Sequence, residues 1–210
     1  MLSDMPVDAF TATTNFMTEM AEASLQVSGD AMEQAALLLV DVQRSGRRVY
    51  VVGNGGSASS ATHFACDLSK TARVPGTAPI RAFSLSDNIA LLTAFANDID
   101  YVRVFDEQVR GMVEPGDVVI AITASGKSPN IVAAMVAAHE VGALTIALTG
   151  FDGGPVRDMA DISIHVPVHD YGLVESLHVG VIHAITLAVR RQVESEAQMM
   201  AVSSVPMVAR

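Results

Sequence analysis

Two hydrophobic rhythms run along this chain, and glycine or small hydroxyl residues mark where one gives way to the other. From about residue 8 to 45 apolar positions recur at three and four spacing, as at Leu25, Met32, Ala36 and Leu39. That period predicts two amphipathic helices, broken near Ser28-Gly29-Asp30 with Asp30 as a cap. From Val49 onward short apolar runs alternate with helical stretches. The pattern predicts strands from Val49 to Gly53 and over 81–85, 118–123, 144–148 and 162–166. Helices are expected over 59–71, 88–97, 102–113, 129–141 and 173–193. Pro115-Gly116-Asp117 reads as a turn, Pro129 opens a helix, and Gly142 ends it. Alternating β and α units imply a parallel, doubly wound sheet with right-handed crossovers and ligands at the carboxyl ends of its strands.

Composition narrows what such a fold is for. Of 210 residues, 50% are apolar, enough for a sizeable core, and the net charge of -10 argues against a nucleic-acid surface. The lone Cys66 excludes an intrachain disulfide and fits a cytoplasmic protein; it is expected to pack in its helix rather than act as a nucleophile. Asp4 and Asp8 near the start do not resemble a signal peptide. The longest apolar runs, such as 118–123, are strand-length, so no membrane span is expected.

The segment VYVVGNGGSASSATHFACD, from Val49 to Asp67, carries the most chemistry. A strand stops at Gly53, passes through Asn54-Gly55-Gly56-Ser57 and enters a helix. Glycines let an anion approach, and the first helical N–H groups face it with the positive end of the helix dipole. The loop lacks the spacing of the common nucleotide motifs. A second strand end offers Thr123, Ser125 and Ser128 around Gly126-Lys127, a hydroxyl-rich cradle with little fixed positive charge that suits a sugar monophosphate; alternatively these hydroxyls cap helices. His63 and Asp67 are four apart and share a helix face. Farther on, Glu175 and His183 are eight apart, about 80° around their helix, and so are expected to reach one cavity; His178 points elsewhere and reads as a core residue.

These segments, with FANDIDYVRVFDEQV, TASGKSPN, LTGFDGG and VESLHVGVIH, resemble the phosphoheptose isomerase branch of the SIS, or sugar isomerase, family, over residues 30–193. The resemblance implies a three-layer α/β/α sandwich with a flavodoxin-like parallel sheet and N-terminal helices. It also implies a cytoplasmic homotetramer with active sites between subunits, acting on a small phosphosugar. Its bounds divide the chain into an oligomerisation segment (1–47), the SIS domain (48–193) and a tail (194–210) that packs on a partner subunit or is disordered.

The resemblance places Asn54, Gly55, Gly56, Ser57, Thr123, Ser125 and Ser128 on the phosphate, and Asn97 and Asp98 near the sugar chain. It makes His63, Asp67, Glu175 and His183 the ligands of a divalent metal such as zinc, with Asp67, His183 and Glu175 the candidates for proton transfer. Two positions depart from the better-known members, which have Glu where Asp67 stands and Gln where Glu175 stands. The expected reaction converts sedoheptulose 7-phosphate to an aldose phosphate through an ene-diol. The alternatives are an isomerase for another ketose phosphate, or a non-catalytic relative that binds phosphosugars or, like the replication initiator-associating protein, a protein partner.

Overall fold

The computed structural model describes residues 8–203. Five parallel strands, β1 (Arg48–Gly53), β2 (Arg81–Ser84), β3 (Val118–Thr123), β4 (Leu144–Thr149) and β5 (Ile162–His165), form one sheet in the order β2-β1-β3-β4-β5. All four pairings are parallel, with Val49 opposite Val118 and Val118 opposite Leu144. Successive side chains leave a strand on opposite faces, so each buried strand feeds two cores. Val49, Val51, Val118, Ile120 and Ile122 face one, while Tyr50, Val52, Val119 and Ala121 face the other.

The first core is covered by α2 (Gly29–Ser45), α3 (Gly56–Cys66) and α8 (Tyr171–Ser203), through Leu39, Phe64 and Ile182. The second lies under α5 (Asp106–Met112), α6 (Pro129–Glu140) and α7 (Gly154–Met159), through Val109, Ile131 and Val156. The expected α/β/α sandwich is therefore present. In front of α2, α1 (Ala9–Ser24) packs against α8, and α4 (Ile89–Asp98) lies beyond β2 with no fully buried residue.

Several boundaries differ from the sequence expectation for local reasons. Ser28, not Asp30, caps α2: its Oγ accepts from the Ala31 N–H at 3.2 Å, while Asp30 sits in the first turn. Helix α3 begins at Gly56 rather than near residue 59, which puts Ser57 in its first turn. The stretch expected as one helix over 102–113 divides into a short 3₁₀ turn (Tyr101–Arg103) and α5. Helix α7 stands outside the expected elements, although Gly153 in the left-handed region and Pro155 mark its start.

At the C-terminal end α8 runs on to Ser203, well past the expected end at 193. Part of the expected tail is therefore helix. It packs on the chain's own α2, where the Arg44 guanidinium donates to both Glu196 carboxylate oxygens. Residues 204–210 lie outside the described residues. Helix α8 is also long and apolar enough to cross a membrane by length and composition, which the strand-length runs did not reveal. Half of that stretch is buried inside the fold, where α1, α2 and α3 all contact it.

Candidate active site

Strand order reverses between β1 and β3, and both strands end in Gly/Ser loops that open helices, the arrangement in which open α/β sheets hold ligands. A pocket of about 140 Å³ sits there, lined by Asn54, Ser57, Thr123, Ser125, Ser128, Tyr171 and Glu175. Gly55, at φ 55°, turns the chain into α3. Ser57 and Thr123 are buried in the wall. The Thr123 Oγ accepts from the Gly126 N–H at 3.2 Å and Ser125 Oγ from the Lys127 N–H at 3.3 Å, so the second loop is folded by its own hydroxyls. Ser128 precedes α6 without capping it through its side chain. The alternative reading of these hydroxyls as mere helix caps fails for Ser128, and Ser57 lies inside a helix rather than before one.

Asn54 is fixed from two sides. Its amide exchanges hydrogen bonds with the Asn130 amide, both at 2.9 Å, and its Oδ1 accepts from the Tyr101 hydroxyl at 3.0 Å. Tyr101 and Asn130 lie inside motifs already singled out, but nothing in their spacing announced a contact across the sheet. Tyr171, the first residue of α8, follows Asp170, whose Oδ1 accepts from the Leu173 N–H at 2.9 Å; the Asp-Tyr-Gly helix start was the available signal.

Two helices carry the second half of the site. Gly56 and His63 on α3, with Asp67 just past its end, lie along one stripe that meets Glu175 and His183 of α8. Just where Asp67 stands, the chain widens into a π-helical turn (Asp67–Thr71), with the Ala72 N–H bonded to the Asp67 carbonyl at 2.8 Å. The Thr71 hydroxyl donates to Asp67 Oδ1 at 2.9 Å. The other oxygen, Oδ2, lies 3.1 Å from His183 Nδ1 and 3.5 Å from His63 Nε2, and the two rings meet edge to face at 4.8 Å. Neither imidazole is aligned to hydrogen-bond it, so Oδ2 is a buried carboxylate oxygen without a donor. Asp67 is 7% exposed; both histidines are open to solvent.

A buried acceptor facing two imidazole nitrogens is a donor set suited to a divalent cation. The three ligand atoms lie within 4.8 Å of one another, against the roughly 3.4 Å between donors of a tetrahedral zinc site, a difference that side-chain rotation can close. Three protein ligands leave a coordination position open, the pattern of catalytic rather than structural zinc. The residues present therefore fit a metal.

Glu175 does not join them. Its carboxylate lies over the start of α3, where a Cβ on Gly56 would stand 2.5 Å from Oε2. The 80° offset from His183 is compatible with one side of α8, but eight residues also separate the two by roughly 12 Å along the axis. Convergence of all four groups at a metal is thus corrected to a cluster of His63, Asp67 and His183, with Glu175 in the pocket between the two Gly/Ser loops.

Other expected residues also settle differently. Asn97 and Asp98 are exposed at the end of α4, where the Asn97 amide donates to Asp98 at 2.8 Å, and neither lines the pocket. Cys66 is exposed rather than packed and lies in a groove of about 390 Å³ along edge strand β2, lined also by Phe83, Leu91 and Met112. That groove is larger than the pocket between the two Gly/Ser loops, and none of the cluster residues His63, Asp67 and His183 lines it. His178, expected as a hydrogen-bonded core residue, is in the core at 0% exposed, but neither ring nitrogen has a well-formed hydrogen-bond partner, and burial pushes its pKa down to about 4.

Comparison with known proteins agrees with this geometry. The SIS domain family model matches residues 14–150. The phosphoheptose isomerase of Geobacter sp. (strain M21) is 38% identical over 162 residues, covering 77% of this chain and 84% of the relative. The lincomycin biosynthesis protein LmbN of Streptomyces lincolnensis is 38% identical over 184 residues, covering 83% of this chain and 67% of that protein. Among solved structures, the phosphoheptose isomerase of Neisseria gonorrhoeae superposes with a TM-score of 0.80 at 30% identity, covering 87% of this chain and 98% of its own. The chain belongs to the SIS domain family and, within it, to the phosphoheptose isomerases.

Proposed function

We propose that this isomerase converts sedoheptulose 7-phosphate to the corresponding heptose 7-phosphate, D-glycero-D-manno-heptose 7-phosphate, by proton transfer through an ene-diol. The observation that carries the reading is the placement of two unlike sites along one helix pair. A phosphate pocket stands where α3 begins, and a His–Asp–His cluster stands two to three turns farther on. From Ser57 to His63 and Asp67 the axial rise is roughly 9 to 15 Å. An extended seven-carbon chain with bonds of about 1.5 Å places C1 and C2 roughly 9 to 10 Å from its phosphorus, within that span, whereas a triose phosphate reaches less than about half of it.

In this reading the Ser57, Ser125 and Ser128 hydroxyls and the first N–H groups of α3 and α6 hold the phosphate. The sugar chain runs along the groove past Glu175. Isomerisation removes a proton from C1, protonates the carbonyl oxygen at C2 to give the ene-diol, then returns a proton to C2 while the C1 hydroxyl loses its own. Two groups within reach of adjacent carbons are required. His183 presents an exposed ring with Asp67 Oδ2 3.1 Å from its Nδ1, which leaves the second ring nitrogen to take and return the proton. Glu175, nearer the phosphate end, is left to position the sugar chain. When bound, a divalent ion such as zinc, held by His63, Asp67 and His183, supplies Lewis-acid stabilisation of the developing oxyanion.

Assembly into a homotetramer, with Asn97 and Asp98 completing a neighbouring site, belongs to the same reading. It is supported by the exposed apolar residues Phe10, Met17 and Leu25 and by the exposed position of that pair. A cytoplasmic location follows from a cytosolic sugar-phosphate substrate. A second reading, an isomerase for a different ketose phosphate, is favoured by the two carboxylate departures at Asp67 and Glu175. Incubating purified protein with sedoheptulose 7-phosphate and following aldose phosphate formation, with chelator and then added zinc, tests the first reading. Activity lost with chelator and restored by zinc is expected; no product in any condition would refute it.

A further inference from the structure

The phosphate pocket has a charge problem. Its lining carries one charged side chain, the Glu175 carboxylate, and no cation. A phosphate monoester brings between one and two negative charges of its own at neutral pH, with a second pKa near 6. Hydroxyls and helix N-termini supply dipoles, not a full positive charge.

A cation already stands in the loop. Lys127 lies between Ser125 and Ser128, both of which line the pocket, but its ammonium is turned outward to Asp152 Oδ2 at 2.7 Å. Both side chains are more than half exposed, at 59% and 57%. Exposed pairs of this kind contribute little to stability. Nor is the pair needed to hold the two loops together. A Cβ on Gly126 would stand 1.8 Å from the Gly153 carbonyl oxygen, the Gly150 N–H donates to Ala124 at 2.8 Å, and the Val156 N–H donates to Gly126 at 3.3 Å. Backbone contacts alone fix the approach. The ammonium does hold the Asp152 carboxyl below its usual range, as a paired but solvent-facing group.

We propose that Lys127 is a phosphate ligand held in reserve: Asp152 keeps the ammonium at the rim of the pocket, and the arriving phosphate takes it over. A lysine ammonium on its flexible four-carbon stem can change partners without moving the backbone. A charge-assisted hydrogen bond to phosphate is stronger than an exposed ion pair, so the exchange runs toward the ligand. The inference rests on the phosphosugar reading of the pocket and adds to it a residue that neither hydroxyl count nor glycine spacing identifies. It also gives Asp152 a role opposite to that of a structural clip: it competes with the substrate.

Calorimetric titration of the full-length protein with inorganic phosphate and with sedoheptulose 7-phosphate separates the possibilities. Lys127→Met should weaken both by about three- to ten-fold, the scale of one charged contact to phosphate. Asp152→Asn, which frees the ammonium, should tighten both by about two- to five-fold. The double variant should match Lys127→Met alone, because Asp152 acts only through the lysine. In turnover the effect should fall on KM, with kcat nearly unchanged. If Asp152→Asn weakens binding and lowers the melting temperature, the pair is a structural clip and the proposal fails. It fails equally if Lys127→Met binds both ligands as the unaltered chain does. Binding of both ligands without any turnover would refute the isomerase reading and leave Lys127 to be judged by the same titrations.

Discussion

At one end, where β1 and β3 stop, two loops line a pocket whose shape is set by backbone, with Gly126 wedged against Gly153 and hydroxyls accepting from N–H groups of the same loop. At the other end three side chains from two helices converge around one buried carboxylate oxygen, and their geometry depends on how α3 and α8 pack. The two ends also treat their carboxylates oppositely. Asp67 is buried, anchored by Thr71 and faced by two imidazoles, whereas Glu175 stands in a hydroxyl-lined pocket without a cation beside it. Residue type alone therefore does not say where a carboxylate serves; under the proposed function the first end recognises the phosphosugar and the second reacts.

The strongest way to break this division is at Asp67. Asp67→Asn keeps size and burial but removes the charge, and should lower kcat by about 100-fold or more, the scale of a lost general acid–base group. The KM for the phosphosugar should change little. A large rise in KM with kcat preserved would move Asp67 to the recognition end.

Between the two ends, on the inward side of α8, His178 ties stability to pH. Its folded pKa near 4 lies below the ordinary value of 6.5, so below pH 6.5 the unfolded chain takes up a proton that the folded chain refuses. Stability should therefore be complete above pH 6.5 and fall by about 3 kcal/mol as pH drops toward 4, from 1.36 kcal/mol per pKa unit. Denaturant unfolding across that range measures the loss, and in His178→Leu it should be smaller by that amount. An unchanged pH dependence in the variant would assign the loss to other groups.

At the recognition end, Ser57→Ala and Ser125→Ala should each weaken phosphosugar binding by about 1 to 3 kcal/mol, the cost of one hydrogen bond to a charged group. Steady-state kinetics should record this in KM. Unchanged values in both variants would remove the loops from the phosphate role. The smallest effect is expected for Glu175→Gln. Removing a carboxylate from the phosphate pocket should tighten inorganic phosphate by a few fold at most, about 1 kcal/mol or less for a partly exposed charge, while zinc affinity stays nearly constant. A zinc affinity that fell in step with activity would return Glu175 to the metal.

How far these features were legible in the sequence follows the same division. Strand β3 and the two Gly/Ser loops were readable because a continuous apolar run and glycine punctuation are local signals, and β3 matches the expected bounds, Val118–Thr123. His63 and Asp67 were readable as a pair because four residues make a helix turn. The separation of Glu175 from His183 was not, since angular offset is plain on a helical wheel while axial distance counts only once a partner helix fixes where each group must reach. The contacts of Tyr101 and Asn130 with Asn54 cross the sheet and have no local signature. Helix α8 was underestimated because its run past residue 193 is fastened by a tertiary contact, the Arg44–Glu196 pair, rather than by a strong apolar period.

The central claim is that one substrate spans both ends, and chain length tests it most directly. The ratio of kcat/KM for sedoheptulose 7-phosphate to that for ribulose 5-phosphate should exceed about 100, because a five-carbon chain anchored by its phosphate leaves its reacting carbons roughly 2.5 Å short of where the seven-carbon chain puts them. Equal turnover of the two would contradict the account, since the phosphate pocket and the His63–Asp67–His183 cluster would then not be measuring the same molecule.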